Sequence, residues 1–249
     1  MTLLRTKGLN KNFGALNVAS EIDFQLASSA RHALIGPNGA GKTTFINIIT
    51  GAVRPSSGEI FLQGQNITAL QQWERSRLGV ARTFQINQLF QGLSVIENVS
   101  MAVAERTGAC RSLFRPLGWR SDVIDEAFVL LKQFKLQDTA LRPVREIAYG
   151  QQRLIEIAVA LGQGPKVLLL DEPAAGVPSS DMLLITDAIE SLTDRIAVLI
   201  VEHDLDVVFR FANRITVLVS GSILAEGTPD EIAADERVRT AYLGETIRG

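Results

Sequence analysis

The stretch Gly36-Pro37-Asn38-Gly39-Ala40-Gly41-Lys42-Thr43-Thr44 follows the short apolar run Ala33-Leu34-Ile35 and opens the periodic segment Phe45-Ile46-Asn47-Ile48-Ile49. The pattern G-x-x-x-x-G-K-[ST] in this strand-to-helix setting is that of a phosphate-binding loop. Its glycines let backbone N–H groups wrap an anion, and the helix behind it presents the positive end of its dipole. Lys42 adds a point charge, and the Thr43 hydroxyl suits Mg²⁺.

A second motif makes the first specific. Val167-Leu168-Leu169-Leu170 reads as a buried strand and ends in the carboxylates Asp171 and Glu172, as expected where a parallel strand emerges at the carboxyl edge of a sheet. Asp171 is placed to hold a Mg²⁺ shell and Glu172 to polarise a water. Read alone, the two acids would merely cap the turn before Pro173; beside the phosphate loop they describe a nucleoside triphosphatase.

At 249 residues the chain is long enough for one large domain, or a core with a subdomain. Its one cysteine, Cys110, cannot form an internal disulfide. No charged-then-apolar leader precedes Met1-Thr2-Leu3-Leu4-Arg5, so a cytoplasmic location is expected. A formal charge of −2 gives no electrostatic reason to expect nucleic-acid binding. The longest apolar runs, such as Val198 to Val201, are strand-sized and do not span a membrane.

Short β-type runs at Ile22 to Leu26, Ala33 to Ile35, Glu59 to Leu62, Val167 to Leu170, Ala197 to Val201 and Ile215 to Val219 alternate with helical patterns after Lys42, Gln151, Ser180 and Asp204. This predicts an α/β fold with a largely parallel central sheet. Before Ala33 the signals are hairpin-like, which predicts an N-terminal antiparallel β subdomain. Between Val95 and Leu136 strand alternation is missing, so a helical subdomain, at approximately 87–162, is expected as an insertion in a single nucleotide-binding domain spanning 1–249. Gly51 to Gly58 punctuates a helix and the next strand, and the tail from Thr228 reads as short amphipathic helices.

Between the two phosphate motifs lies Ile147-Ala148-Tyr149-Gly150-Gln151-Gln152-Arg153, leading into the helical run Leu154-Ile155-Glu156-Ile157-Ala158. This resembles the signature motif of ABC-type ATPases of the P-loop class. Gln85 in Ala81-Arg82-Thr83-Phe84-Gln85 is similar to the family's Q-loop, and His203 in Val201-Glu202-His203-Asp204 to its switch histidine, in the expected order and spacing. The segments from Ala81 to Phe90, the form IAYGQQR, Asp171 to Gly176, and the ending Ala241-Tyr242-Leu243-Gly244-Glu245 resemble the branch that imports branched-chain amino acids and related amides. Lipopolysaccharide-export ATPases share the last of these, so export by the same engine stays open. A soluble, DNA-handling ATPase is a further alternative, but such relatives carry long coiled-coil insertions and the interval from Gln85 to Ala148 has no sustained heptads.

The resemblance implies ATP and Mg²⁺ as ligands. The loop from Gly36 to Thr44 would hold the phosphates, with Thr43, Gln85 and Asp171 around the metal, and with Lys42, Gln85, Glu172 (general base) and His203 (γ-phosphate contact) catalytic. Phe13 matches the family's adenine-stacking aromatic, a contact worth about 1–3 kcal/mol by analogy with base stacking; core packing is the alternative. His32 reads as structural. Ala148, Tyr149, Gly150 and Gln151 would offer N–H groups to ATP held by a second ABC subunit in a head-to-tail dimer. Transmembrane permease subunits, which hold the chain on the cytoplasmic face, and a periplasmic solute-binding protein are the other partners implied. The apolar groove at Phe84, Leu89 and Phe90 is the candidate docking surface. Arg106, Arg111, Arg115 and Arg120, with Phe114 and Trp119, lack an amphipathic period and read as a solvated loop rather than a lipid contact.

Two departures from the family pattern stand out. Ala148 replaces the usual serine, which removes a hydroxyl donor worth about 1–2 kcal/mol. Pro178 stands where the D-loop usually has Asp or Asn, which puts communication across the dimer in doubt.

Overall fold

The computed structural model of the protein describes residues 1–83, 89–109, 121–203 and 205–246. Gln85 and Phe84, and the arginine-rich segment beyond Ala109 up to Arg120, lie outside the described residues. The chain opens with β1 (Thr2–Phe13), β2 (Leu16–Ile22) and β3 (Gln25–Ala27), then β4 (Arg31–Ile35), α1 (Lys42–Thr50), β5 (Ser57–Leu62) and β6 (Gln65–Asn66). β1 pairs antiparallel with β2, β3 and β5, and β5 with β6, forming the N-terminal antiparallel sheet.

The predicted run Ile22 to Leu26 is not one strand. It breaks at Asp23 and Phe24, whose polar groups are satisfied by side-chain bonds to β1: the Phe24 N–H donates to Thr6 Oγ1 (3.0 Å) and the Gly8 N–H donates to Asp23 Oδ1 (2.7 Å). The Phe24 ring turns inward and meets His32 and Phe45 edge-on at 4.9 and 5.3 Å.

After α2 (Gln72–Leu78) and the short β7 (Val80–Arg82) come α3 (Val95–Thr107), α4 (Ser121–Gln133) and α5 (Tyr149–Gly162). The chain then returns to β8 (Val167–Asp171), α6 (Ser179–Glu190), β9 (Ala197–Val201), α7 (Leu205–Phe211), β10 (Arg214–Val219), β11 (Ser222–Gly227), α8 (Pro229–Ala234) and α9 (Glu236–Thr246). The second sheet has the order β11-β10-β4-β9-β8-β7, parallel throughout except for the β10–β11 hairpin.

Alternation of period two explains its central position. In β4, Ala33 and Ile35 face one apolar cluster while Leu34 faces another; Leu168 and Leu170 of β8 oppose Val167 and Leu169 in the same way, as do Val198 and Ile200 of β9 against Leu199 and Val201. Both sheet faces are therefore buried, one under α3 and α5 to α7, the other under α1 and the antiparallel sheet. The carboxyl ends of β4, β8 and β9 share one edge, and the two phosphate motifs leave from it. Among the described residues no helix is long and apolar enough to cross a membrane.

Candidate nucleotide site

The loop after β4 needs glycine at two points for reasons outside itself. At Gly36 (φ 153°) a Cβ would lie 2.0 Å from the Leu218 carbonyl oxygen; at Gly41 (φ 100°), the cap of α1, it would lie 2.5 Å from Val18 O. The loop is thus wedged between β10 and β2, and the Gly221 N–H donates to Ala40 O at 3.0 Å. α1 has no acidic residue in its first turn, and its first closing bond is Phe45 N–H to Gly41 O at 2.9 Å. The positive end of the helix dipole is thus met by no acidic side chain of the first turn. Lys42 folds back, with Nζ donating to Gly36 O and, at 2.9 Å, to Pro37 O.

This loop forms one wall of a cleft of about 520 Å³ lined by Asn38 to Thr44 and, across from them, Glu172. Leu16, Asn17, Val18, Ser220 and Gly221 complete it. These five come from two hairpins distant in sequence, and no local motif marks them.

Asp171 ends β8 with its side chain fully buried. Oδ2 pairs with Arg82 of β7, whose Nη1 reaches Asn47 Oδ1 of α1 at 2.5 Å. Burial pushes the Asp171 carboxyl up and the Arg82 guanidinium opposes that rise. Oδ1 is buried with no hydrogen-bond partner among the described residues, an acceptor left over for a cation or its water. Thr43 lies in the cleft wall. Among the described residues no cluster of three or more His, Cys, Asp or Glu could cage a metal. A set this sparse fits an ion that would draw most of its ligands from phosphate and water, as Mg²⁺ does.

Glu172 sits in the left-handed region (φ 48°), with its N–H donating to Val201 O at 2.8 Å. For a non-glycine residue this conformation costs about 1–3 kcal/mol and persists only where surrounding structure enforces it. Part of the enforcement comes from Glu202, which sequence reasoning passed over. Its fully buried carboxylate accepts from Ala174 N–H (3.0 Å) and His203 N–H (3.3 Å), tying the loops after β8 and β9 together. Burial raises its pKa against those two donors. His203 itself is largely exposed, with Nδ1 3.8 Å from Glu202 Oε2. The available signal was an acid placed directly after the apolar strand Val198 to Val201.

The remaining predicted groups lie apart from the cleft wall. α5 is capped by Ala148 without a side-chain bond, and its first closing bond is Gln152 N–H to Ala148 O at 3.0 Å. The N–H groups of Tyr149, Gly150 and Gln151 precede it. Phe13, at the end of β1, is half-exposed and carries Lys11 Nζ 4.7 Å above its ring. His32 is a core residue, with Nε2 2.8 Å from Thr216 Oγ1.

The sequence matches the ABC transporter family over residues 19–175 and the branched-chain amino acid ATP-binding cassette transporter family over 222–247. The chain belongs to the ABC transporter family of ATPases. It is 37% identical over 98% of both chains to the high-affinity branched-chain amino acid transport ATP-binding protein LivG of Escherichia coli, and 35% identical, again over 98% of each, to BraF of Pseudomonas aeruginosa. Its fold is similar to a nucleotide-free ATP-binding cassette (TM-score 0.85, 29% identity, 97% of this chain and 99% of that one). It is equally similar to a cassette solved in its ADP conformation (TM-score 0.86, 30% identity, 98% and 99%).

In this ABC ATPase, Pro178 is the cap of α6, with φ −56° and ψ 146°, and the Asp181 N–H closes onto its carbonyl at 2.8 Å. The proline is therefore accommodated as a helix start, and it offers no side-chain polar group to a neighbour.

Proposed function

We propose that the chain binds ATP with Mg²⁺ and hydrolyses it to drive a membrane transporter that takes up branched-chain amino acids or related amides. The observation that carries the catalytic part is the cleft itself: an anion-binding loop and helix start on one wall, a strained, backbone-tethered carboxylate on the other. Phosphoryl transfer asks for placement and charge stabilisation more than covalent chemistry, and these groups supply both.

The backbone from Gly36 to Thr44 and the Lys42 ammonium bind the β- and γ-phosphates, Lys42 leaving its two carbonyl acceptors to do so. Thr43, Asp171 and Gln85 would hold Mg²⁺, which would supply neutralisation of phosphate charge. Glu172 takes the proton of the attacking water, and His203, held at its backbone by Glu202, orients that water against the γ-phosphate. Phe13 stacks on the adenine.

A second copy or a related subunit completes each site. The start of α5 has no acid in its first turn and is not among the residues lining the cleft of its own chain, so it serves the phosphate of a partner. Ala148 leaves that contact to backbone donors. The helical segment at approximately 87–162 presents a second surface, a groove of about 440 Å³ lined by Trp73, Leu89, Phe90, Met101 and Val159. Phe90 and Trp73 are more than half exposed there, and Asn98 fixes the Phe90 backbone through bonds of 2.8 and 3.2 Å. This groove seats a permease helix on the cytoplasmic face of the membrane, and a periplasmic solute-binding protein delivers the solute.

ATP turnover by the purified chain tests the reading. Lys42→Ala should weaken nucleotide binding and Glu172→Gln should retain ATP while hydrolysing it at least about a hundredfold more slowly; wild-type turnover in both contradicts it. Co-purification with permease subunits tests the transport role.

A further inference from the structure

The start of α5 is clasped by the loop that follows β8 in the same chain. Tyr149 Oη donates to Ala175 O at 3.4 Å, and Arg153 Nη2 donates to Tyr149 Oη at 2.7 Å and to Ala175 O at 3.5 Å. The guanidinium lies 5.1 Å from the Tyr149 ring centroid, and its other end is fixed by Glu156 at 2.8 Å, both side chains buried. Two glycines mark how close the elements come. A Cβ at Gly150 would lie 2.6 Å from Asp181 Oδ2, and one at Gly176 would lie 3.4 Å from Tyr149 Oη. From Ala175 the contacts continue to the backbone that carries the Glu172 side chain, because the Ala175 N–H donates to the Glu172 carbonyl oxygen at 3.0 Å and the neighbouring Ala174 N–H to Glu202 Oε1 at 3.0 Å.

We propose that Tyr149 and Arg153 are positioning residues for Glu172 of their own chain, so that the α5 start, on meeting the partner's nucleotide, sets the base that acts on its own. This rests on the two-copy site above. The bonds to Ala175 O are individually long and weak, but the phenol that makes one of them is held by a short bond and a stacked cation, and it moves with α5 as a unit. Pro178, which has no polar side chain to offer across the dimer, leaves this internal route to carry the coupling.

Mixed dimers of one chain with intact Glu172 and one with Glu172→Gln separate the inference from a role at the partner's phosphate. Tyr149→Phe keeps the backbone N–H and removes the hydroxyl. Placed on the chain with intact Glu172, it should lower kcat about tenfold with KM for ATP within about twofold; placed on the Glu172→Gln chain, it should cost at least fivefold less. Arg153→Gln should show the same asymmetry. Equal losses, or a larger loss from the Glu172→Gln chain, overturn the proposal while leaving the two-copy site intact. If the chains form no mixed dimer, the partner is a related subunit and not a second copy of this chain. The positioning role is then read from amide hydrogen exchange at Ala175 in the single chain, which Tyr149→Phe should accelerate severalfold; parental exchange rates overturn it.

Discussion

Arg75 is a buried cation with no carboxylate partner among the described residues, and its removal makes a quantitative test of how α1 is held. Its side chain is 1% exposed and donates to four backbone carbonyls: Ile48 O at 2.6 Å and Ile49 O at 2.8 Å at the end of α1, Thr68 O at 2.9 Å and Leu70 O at 3.1 Å. The guanidinium thus closes the carbonyl end of the helix whose other end faces the phosphate, and its charge suits the negative pole of the dipole. Each charge-assisted bond is worth about 1.5 kcal/mol at the low end, about 6 kcal/mol for the set. Burial lowers the Arg75 pKa from 12.5 to about 10, an opposing cost of about 3 kcal/mol. The net contribution is about 3 kcal/mol. Arg75→Met, of similar length, should lower the unfolding free energy in urea by that amount with an unchanged m-value. Arg75→Lys should recover about half, since a compact ammonium cannot span four carbonyls. A loss below about 1 kcal/mol in the methionine variant would refute the reasoning.

Other consequences follow from the same geometry. Arg82→Met strips the buried Asp171 of its ion-pair partner Arg82 and should cost about 3–5 kcal/mol in the nucleotide-free protein; a melting temperature within 2 °C or so of the parent would argue against it. Gly36→Ala should abolish nucleotide binding measured by fluorescence titration, because its Cβ meets backbone at 2.0 Å; retained affinity contradicts the wedged loop. For His32 burial lowers the pKa from 6.5 to about 4, so the fold accepts only the neutral ring. Stability is full above pH 6.5 and falls as pH drops toward 4, by about 2 kcal/mol at pH 5. His32→Gln should flatten that part of the urea-denaturation pH profile, and an unchanged slope would show another group responsible.

How legible the site was depends on whether chemistry was local in sequence. The phosphate loop, Asp171-Glu172 and the start of α5 are contiguous motifs at a strand end or a helix start, so spacing alone marks them as candidates, and the structure brings the loop and Glu172 to one cleft. The parallel sheet was readable for a related reason: β8 and β9 are buried on both faces and appear as unbroken apolar runs. What escaped depends on three-dimensional closure. β1, inside the antiparallel sheet, and β11, at the edge of the other, mix polar and apolar residues, and β7 is three residues long. Asp23 and Phe24 looked like strand interior until Thr6 and Gly8 claimed their bonds. Arg75, Arg82 and Glu202 look like surface charges in one dimension. Only packing shows that Arg75 and Glu202 are buried and Arg82 largely so, and that they tie together elements far apart in the chain.

The account stands on a site built by two chains, and a crystal structure of Glu172→Gln with ATP and Mg²⁺ examines it most directly. It should show the triphosphate in the loop from Gly36 to Thr44, Asp171 on the metal side, and the γ-phosphate met by the N–H groups at the start of α5 from a second molecule. A triphosphate bound elsewhere, or one enclosed by a single chain with α5 turned away, would contradict it.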